Sequence, residues 1–456
     1  MERERLGSRL GFILLSAGCA IGIGNVWKFP YIAGQYGGGI FVIIYAFFLV
    51  ILGIPVMTME FSLGRASQKS PAKLYQELEP KNTLWHLHGY VCVIGNYLLM
   101  MFYTTVAGWM LQYFVSMANG DLIGLNTEGV KDYHTSILED YKMMIVFMAI
   151  VVVLGFLVCS LGLANGLEKI TKIMMLALLA IMVVLAVNSI FLEGGKEGLS
   201  FYLIPDINKM KEAGIINVIV AAMNQAFFTL SLGMGAMAIF GSYLGKDRAL
   251  MGEAINVAVL DTFVAFVSGL IIFPACFAYD VPVDSGPNLI FVTLPNVFNN
   301  MPLGRVWGSL FFVFMSFAAL STVFAVFEGI LACTCDLFGW SRKKSCLING
   351  ILLLVLSLPC VLGFNVLSGV TPFGKGSNIM DLEDFIVSNL LLPIGSLLYV
   401  LFCVSKKGWG WENFEKEANT GKGLKVKKWM RGYITYVLPL IIILLFVFGL
   451  YNFFVK

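Results

Sequence analysis

The stretch SAGCAIGIGNVWKFP, from Ser16 to Pro30, decides how this chain folds. It is apolar enough to cross a membrane, yet Gly18, Gly22 and Gly24 each weaken a helix by up to about 1 kcal/mol relative to alanine. Pro30 removes a backbone donor as well. We therefore predict that a membrane-spanning helix unwinds here. Free backbone is tolerated at membrane depth only where it is buried in protein or lines a cavity, so the break predicts a central binding site.

The composition around this stretch is that of a polytopic membrane protein. The 456 residues are 58% hydrophobic and 13% charged, with a mean hydropathy of +0.83, and apolar runs of about 20 residues recur along the chain. We predict an all-α fold with eleven transmembrane spans. Their approximate positions are 10–35, 39–63, 88–117, 142–162, 168–192, 217–243, 252–279, 306–336, 345–363, 381–404 and 431–454.

The distribution of charge predicts the orientation of these spans. With a cytoplasmic N-terminus, the inner segments hold 22 of the 31 lysines and arginines, as the positive-inside rule requires. An odd number of spans then places the C-terminus outside the plasma (inner) membrane. The net charge of +3 reflects this topology and does not indicate a nucleic-acid partner. Nearly all nine cysteines fall in apolar spans or at their edges, so we predict small core residues, not disulfides.

A second interrupted span is predicted at NQAFFTLSLGMG, residues 224–235, in the sixth apolar segment. Two broken spans in corresponding positions, five spans apart, are typical of transporters built from inverted repeats. The predicted organisation is a cytoplasmic N-terminal segment (1–9), a first five-helix repeat (10–192), a second inverted repeat with its preceding external loop (193–404), a cytoplasmic linker (405–430), and the eleventh span with an external C-terminus (431–456).

Several side chains with oxygen atoms lie at plausible depths for an ion site: Asn25, Thr229, Ser231, Asp261, Ser321 and Thr322. All are hard ligands, which favours sodium over a transition metal. Serine and threonine also bond to their own helices or to neighbouring ones, and this alternative stays open for Ser321 and Thr322. Asp261 is different, because a charge at the bilayer centre costs at least about 2.5 kcal/mol and needs a cation or a proton.

Other functional classes find less support in the sequence. The three histidines, His86, His88 and His134, fall in predicted loops away from the apolar serines, so no catalytic triad is expected and the chain is not predicted to be an enzyme. Glu60 and Asp336 lie near span ends, as interfacial residues do. A channel or ligand-gated receptor remains the main rival. It would show fluxes that amino acid does not saturate and no sodium-dependent accumulation.

The motifs resemble those of the neurotransmitter:sodium symporter family, in particular its bacterial hydrophobic amino acid and tyrosine transporters. The matching stretches are GNVWKFPY (24–31), YGGGIF (36–41), NQAFFTLSLGMG (224–235), FAALST (317–322) and DLEDF (381–385). They occur in order between residue 3 and about residue 404. The resemblance implies sodium-coupled symport by alternating access.

The family pattern implies two sodium sites. The first maps to the Ala20 carbonyl with Asn25, Thr229 and Asp261. The second maps to the carbonyls of Gly18, Ile21 and Ala318 with the hydroxyls of Ser321 and Thr322.

The resemblance also implies a substrate site and two gates. The substrate carboxylate is expected at the amides of Ile23 and Gly24 and the hydroxyl of Tyr103. Its ammonium is expected at the carbonyls of Ala20, Phe228 and Thr229 and the hydroxyl of Ser231. The side-chain pocket maps to Leu99, Val106, Phe228, Met234, Ala325 and Val326. Lys28 and Asp384 map to an outer gate, with Tyr103 and Phe228 as its lid; Arg3, Tyr243, Glu328 and Asp336 map to an inner gate network.

Four departures from the family pattern refine this expectation. Gly22 stands where members that carry monoamines have aspartate, which favours amino-acid substrates. Asp261 replaces an asparagine and supplies a fixed negative charge, so we predict chloride independence. Lys28 replaces an arginine and cannot make the same bidentate pair. The twelfth span is missing, so any oligomer contact that uses it is in doubt and the oligomeric partner stays open.

The predicted substrate is a hydrophobic or aromatic L-amino acid. The implied pocket is apolar, and Met234 between two glycines is a flexible wall that can move aside for a large side chain. Ordinary core packing is the alternative role for Met234.

Overall fold

The computed structural model describes residues 4–280 and 288–455. Regular structure in these residues is helical, apart from one isolated bridge between Arg248 and Lys422. The predicted gate residue Arg3 lies outside the described residues.

The α-helices follow one another along the chain and vary widely in length. They are α1 (Arg9–Ala20), α2 (Ile23–Val26), α3 (Lys28–Gln35), α4 (Gly39–Phe48), α5 (Ile54–Ser67), α6 (Pro71–Leu78), α7 (His86–Asn119), α8 (Thr127–Glu139), α9 (Tyr141–Ser160), α10 (Lys169–Ile190), α11 (Lys196–Leu203), α12 (Ile207–Glu212), α13 (Ile215–Phe228), α14 (Ala236–Ser242), α15 (Leu250–Ala278), α16 (Leu294–Asn300), α17 (Gly304–Phe338), α18 (Arg342–Leu356), α19 (Leu358–Leu362), α20 (Ile379–Phe385), α21 (Leu392–Val404), α22 (Trp411–Ala418), α23 (Met430–Gly432) and α24 (Leu438–Val455). Short π-helical stretches join some of them, at Leu49–Gly53, Leu163–Glu168, Leu289–Thr293, Ile386–Leu391 and Tyr433–Val437.

Within the described residues, nine helices are long and apolar enough to cross a membrane. They are Gly39–Ser67, His86–Asn119, Tyr141–Ser160, Leu163–Ile190, Leu250–Ala278, Gly304–Phe338, Arg342–Leu362, Ile379–Val404 and Met430–Tyr451. The bent pair Arg9–Ala20 and Ile23–Gln35 makes a tenth if it is one span. This confirms an all-α polytopic fold. The sixth predicted span is divided into α13 and α14, both below that length, so eleven spans stay a prediction.

The first predicted break lies between α1 and α2. α1 ends at Ala20 and α2 begins at Ile23, and the two halves are bent by 66°. Gly22 between them is extended (φ −122°, ψ −167°), and its N–H donates to Asn25 Oδ1 at 3.1 Å. Pro30 falls in the first turn of α3, where a missing N–H is tolerated. The glycine therefore marks the break, and the proline belongs to the start of the outer half-helix.

The second predicted break lies between α13 and α14. α13 ends at Phe228 and α14 begins at Ala236. The connecting chain has left-handed backbone at Gly233 (φ +102°) and Gly235 (φ +77°), where glycine meets no steric penalty. Ser231 also has positive φ (+50°), which costs a side-chain-bearing residue about 1 kcal/mol. Unwinding here is thus built into the sequence, as predicted.

Two long helices pack against both breaks. α15 contacts α2 and α3, and α17 contacts α1, α2 and α14. α7 packs along α17 and brings Tyr103 to the first break. This arrangement places Asp261, near the middle of α15, and Ser321 and Thr322, near the middle of α17, beside the unwound backbone.

The segment 405–430, predicted to be a linker, contains a docked helix. α22 packs against α5 and α21. Its Trp411 and Phe414 are buried, three residues apart on one face. Arg65 of α5 is also buried, and its Nε donates to Glu417 Oε1 at 2.6 Å. The segment is therefore fixed to the helical body.

The prediction that the three histidines lie in loops is wrong. His86 and His88 occupy the first turn of α7, and His134 lies in α8. Buried tyrosine hydroxyls bond to two of these rings, Tyr75 to His88 Nδ1 at 2.6 Å and Tyr113 to His134 Nδ1 at 3.0 Å. Hydropathy undervalued His88 and His134, because a neighbouring hydroxyl satisfies each of these two rings and lets it pack inside a helical body.

Candidate ion and substrate site

Three buried polar side chains from three helical segments meet beside the first break. Asn25 Nδ2 donates to Asp261 Oδ1 at 2.8 Å, and Thr229 Oγ1 donates to Asp261 Oδ2 at 3.0 Å. Asn25 Nδ2 is also 3.3 Å from Thr229 Oγ1. Asp261 is fully buried. The structure thus brings together the side chains predicted for the first sodium site.

This cluster suits a hard monovalent cation. A carboxylate offers about four acceptor positions, and the two hydrogen bonds to Asp261 use only some of them. A buried carboxylate that keeps its full charge needs a cation nearby, because isolated charges are costly to bury. The oxygens of Asp261 and Thr229 are hard donors of the kind that sodium prefers, and the three side chains contain no sulfur or imidazole. Asn25 presents Nδ2 to this cluster, while its Oδ1 accepts from the Gly22 N–H.

A second oxygen-rich cluster lies where α17 meets the end of α1. Thr322 Oγ1 is 3.3 Å from the Gly18 carbonyl, 3.3 Å from the Ile21 carbonyl and 3.4 Å from the Ala318 carbonyl. Ser321 Oγ is 2.9 Å from the Ala318 carbonyl and 3.5 Å from the Ile21 carbonyl. These are the atoms predicted for the second sodium site.

The geometry of this second cluster also tests the alternative that the Ser321 and Thr322 hydroxyls bond only to helix carbonyls. Both hydroxyls do face Ala318 on their own helix, as that alternative requires. A hydroxyl carries a single proton, however, so Thr322 can donate to only one of the carbonyls around it. The carbonyls of Gly18, in the last turn of α1, and of Ile21, in the break, also converge on the same point. Their excess of lone pairs fits a cation.

A cavity of about 340 Å³ lies between the two breaks. Most of the predicted substrate residues line it: Ala20, Ile23, Gly24, Leu99, Tyr103, Val106, Phe228, Thr229, Ser231 and Met234. Val326, predicted in the wall, is buried within α17 and is not among the described residues lining this cavity, and the same holds for Ala325. The volume is within the usual range for small-molecule sites.

The polar end of the cavity is formed by Gly22, Ile23 and Tyr103. The Ile23 N–H donates to the Tyr103 hydroxyl at 3.2 Å. A β-carbon at Gly22 would lie 2.7 Å from that hydroxyl and 3.1 Å from Thr322 Oγ1. Any side chain at position 22 would therefore crowd this end, where the backbone amide and the tyrosine hydroxyl are available to a carboxylate.

The predicted outer gate residues, Lys28 and Asp384, line the same cavity. Lys28 Nζ lies 3.9 Å from the ring centroid of Phe228, in cation–π geometry. Asp384 Oδ1 accepts a hydrogen bond from Ser388 Oγ at 2.6 Å. The structure therefore brings both charges to one cavity, with Lys28 over the predicted lid residue.

The predicted inner gate contains a partner that sequence reasoning missed. The Tyr243 hydroxyl donates to Glu328 Oε1 at 2.7 Å. Arg342 Nη1 donates to the same oxygen at 3.1 Å, and its Nη2 pairs with Oε2. Asp336 accepts a hydrogen bond from the Ser70 N–H at 2.7 Å. In the sequence Arg342 is one of three consecutive basic residues, 342–344; its position shortly after the span that contains Glu328 is the feature that could have identified it.

Glu60 is the second residue whose role was missed, and its interfacial assignment was wrong. It is fully buried in α5, and its Oε1 accepts a hydrogen bond from the Gly233 N–H at 2.6 Å. Gly233 lies in the unwound chain between α13 and α14, where its amide has lost its helical partner. Glu60 thus stabilises the second break.

Comparison with known proteins agrees with this architecture. The model of the Sodium:neurotransmitter symporter family matches residues 3–124 and 126–456. The chain is 34% identical over 441 residues to the uncharacterized sodium-dependent transporter YhdH of Bacillus subtilis, covering 96% of both chains. It is 31% identical to an uncharacterized sodium-dependent transporter of Methanocaldococcus jannaschii, covering 97% of this chain and 89% of the other. The solved structure of MhsT in complex with L-phenylalanine is similar, with a TM-score of 0.86 and 36% identity over 98% of this chain and 100% of that one. The chain therefore belongs to the sodium:neurotransmitter symporter family.

Proposed function

We propose that this protein is a sodium-coupled symporter of hydrophobic or aromatic L-amino acids that works by alternating access without chloride. One observation carries the proposal. The two helix breaks meet at the buried cluster of Asn25, Thr229 and Asp261, directly beside a largely apolar cavity of about 340 Å³. MhsT, similar over almost the whole chain, was solved with L-phenylalanine, which supports an amino acid as substrate.

Two sodium ions are proposed to bind at the two oxygen-rich clusters. The first would use the Ala20 carbonyl, Asn25, Thr229 and Asp261. The second would use the carbonyls of Gly18, Ile21 and Ala318 with Ser321 and Thr322. The convergence of the Gly18 and Ile21 carbonyls on Thr322 supports the second site. Each cluster joins the first broken helix to a different long helix, so ion binding would hold those elements together.

The substrate would bind with its backbone groups at the two breaks. Its carboxylate would take the Ile23 N–H that now donates to Tyr103, together with the Gly24 N–H and the Tyr103 hydroxyl. Its ammonium would meet the freed carbonyls of Ala20, Phe228 and Thr229 and the Ser231 hydroxyl. Gly22 offers no carboxylate to an amine and leaves no room for one. This supports a zwitterionic amino acid over a monoamine.

The side chain of the substrate would occupy the apolar part of the cavity. Leu99, Val106 and Met234 line it together with the Phe228 ring. Burial of an aromatic or large aliphatic side chain here gives about 1.5–3 kcal/mol. The flexible Met234 allows that wall to adjust, which supports the larger hydrophobic substrates.

Chloride independence rests on Asp261. Its carboxylate is fixed by two hydrogen bonds and fully buried at the first cluster. It would balance the charge of a sodium ion there without an added anion. Sodium entry then drives transport. Two ions moving down about 100 mV and a roughly tenfold gradient release about 7 kcal/mol, enough for about a 10⁵-fold accumulation.

The family topology completes the proposal. Eleven spans, two inverted five-helix repeats and a cytoplasmic N-terminus would let the first repeat rock against the second around the central site. Tyr243, Glu328, Asp336 and Arg3 would close the inner side, and Lys28 and Asp384 the outer side.

Binding by the purified protein tests the proposed substrate class. We expect L-phenylalanine, L-tryptophan or L-leucine to bind in sodium chloride and in sodium gluconate, but not in potassium or choline salts. Serotonin and taurine serve as controls for amine and sulfonate ligands. Binding that is equally strong without sodium, or absent for every hydrophobic amino acid, would contradict the proposal.

A further inference from the structure

The stretch from Lys422 to Arg431, here called the basic segment, leads into the last candidate span, Met430–Tyr451, and includes its first two residues. It contains Lys422, Lys425, Lys427, Lys428 and Arg431 and no acidic residue. All five basic side chains are exposed. Two apolar side chains point outward among them, with Trp429 70% and Leu424 59% exposed. Exposed lysines interleaved with exposed tryptophan and leucine are unusual on a purely aqueous surface.

The basic segment is held in place by the rest of the protein. Asn419 Nδ2 donates to the Val426 carbonyl at 3.0 Å, and the Val426 N–H donates to Asn419 Oδ1 at 2.7 Å. Val426 and Met430 are buried. The fixed backbone therefore presents its basic side chains outward as a defined surface, with little ordering left to be done on binding.

The position of this surface is that of the membrane interface. Trp429 immediately precedes α23, where the last candidate span begins. Tryptophan is enriched at that level of a bilayer, and a cluster of lysines and arginines beside a span attracts anionic headgroups. The charge of the segment is complementary to such headgroups, and Trp429 and Leu424 supply the apolar contacts that reach below them.

The basic segment is also tied to the loop that follows the inner half of the second broken helix. The Lys422 N–H donates to the Asp247 carbonyl at 2.9 Å, and the Ala249 N–H donates to the Lys422 carbonyl at 3.0 Å. Arg65 Nη1 donates to the Arg248 carbonyl at 2.6 Å, which fixes the same loop to α5. This loop, 245–249, follows α14 and Tyr243 of the inner gate network.

We propose that the basic segment binds the headgroups of anionic phospholipids in the adjacent leaflet, and that this contact restrains the loop 245–249 behind the inner gate. The proposal rests on the predicted membrane orientation and not on the transported substrate. Anionic lipid would then stabilise the backbone hydrogen bonds between Lys422 and the loop. Removal of the lipid would make the loop 245–249 more mobile.

The test uses the full-length protein in lipid nanodiscs made of phosphatidylcholine alone or with added phosphatidylglycerol. Hydrogen exchange of residues 245–249 and the thermal unfolding midpoint are measured without sodium or amino acid, so the outcome is independent of the proposed transport. The triple variant Lys425→Gln, Lys427→Gln, Lys428→Gln is compared with Lys131→Gln, Lys142→Gln, Lys211→Gln, which removes three exposed lysines on the predicted opposite side.

We expect phosphatidylglycerol to slow exchange in the loop and raise the unfolding midpoint of the wild type and of the control. The 425/427/428 variant should largely lose both effects, since three surface lysines at about fivefold each weaken headgroup binding about 100-fold. In the wild type, 0.5 M choline chloride should weaken the effect by screening. An unchanged lipid response in the 425/427/428 variant would overturn the proposal. So would an equal response to phosphatidylcholine, or to free inorganic phosphate, which would indicate a simple anion site.

Discussion

Asn25 and Asp261 lie 236 residues apart in the chain, yet Asn25 Nδ2 is 2.8 Å from Asp261 Oδ1. This contact joins the first broken helix to the middle of α15 at a fully buried position. A carboxylate in that position sets the charge of the whole site. The proposed sodium binding, the absence of a chloride requirement and the position of the substrate all depend on it.

Replacement of Asp261 tests this dependence. We expect Asp261→Asn to weaken sodium binding by about 100-fold, because removal of one charge from a buried pair costs about 3 kcal/mol or more. Transport should be lost or should become chloride-dependent. The measurement is sodium-dependent amino-acid binding with and without chloride. Thr262→Ala is the matched control, since the adjacent Thr262 hydroxyl donates to the Ala258 carbonyl of its own helix and makes no hydrogen bond to Asn25 or Thr229 among those found in the described residues. If the Asp261→Asn variant binds sodium as tightly as the wild type in chloride-free buffer, Asp261 is not the charge that balances the sodium ion.

The two glycines of the first break are predicted to tolerate alanine very differently. At Gly22 a β-carbon would meet the Tyr103 hydroxyl at 2.7 Å, whereas at Gly24 the nearest atom is a Phe228 ring carbon at 3.5 Å. Neither glycine has a positive φ, so the two alanine variants differ only in how much room the site leaves for a β-carbon. We expect Gly22→Ala to reduce substrate affinity at least tenfold with little loss of thermal stability, and Gly24→Ala to bind within about threefold of the wild type. Equal affinities in the two variants, measured by titration calorimetry, would be inconsistent with a carboxylate site at Tyr103.

The size of the substrate pocket is predicted to depend on Met234. Met234→Phe should favour leucine over tryptophan by about tenfold, and Met234→Ala should do the reverse, since one methylene in an apolar pocket changes specificity by about 1–3 kcal/mol. Leu232, in the same unwound stretch, is fully buried and serves as the control. Leu232→Ala should lower the unfolding midpoint without changing the ratio of the two affinities. If Met234→Ala behaves like Leu232→Ala, then Met234 is ordinary core packing.

The inner gate is predicted to depend on Arg342. Glu328 is 1% exposed. Arg342→Gln would remove the guanidinium from the Glu328 carboxylate and leave the hydrogen bond from the Tyr243 hydroxyl. We expect this loss to destabilise the closed inner side by about 3–5 kcal/mol. Hydrogen exchange in α14 should accelerate and uptake should fall. Arg342→Lys should be intermediate, because lysine keeps the charge but loses the two-pronged pairing with Glu328. Lys343→Gln, exposed on the same helix turn, should resemble the wild type. Wild-type exchange rates in Arg342→Gln would argue against a gate role.

The breaks in the first and sixth spans were predictable because their causes are local. Gly22 and Gly233 weaken a helix wherever they stand, and an apolar context says that the weakness lies within the membrane. Asp261 was predictable for the same reason, as a charge inside an apolar run requires a partner.

Residues that act through distant contacts were harder to predict. Glu60 follows an apolar run and resembles an interfacial residue until the path of the 229–235 chain brings Gly233 to it. Arg342 resembles any other basic residue of an inner segment, and only the reversal of the chain between α17 and α18 brings it to Glu328. The docked α22 did carry a local signal, since Trp411 and Phe414 share one helical face, but its mean composition is polar and predicted a linker.

Uptake into proteoliposomes tests the central claim most directly. The purified protein is reconstituted with potassium inside, and labelled L-phenylalanine or L-leucine is added outside with an inward sodium gradient, in chloride or gluconate. The account predicts accumulation well above equilibrium, the same with either anion, abolished by a sodium ionophore and saturable by the unlabelled amino acid. Equilibration without accumulation, or flux that amino acid does not saturate, would contradict it and favour a channel.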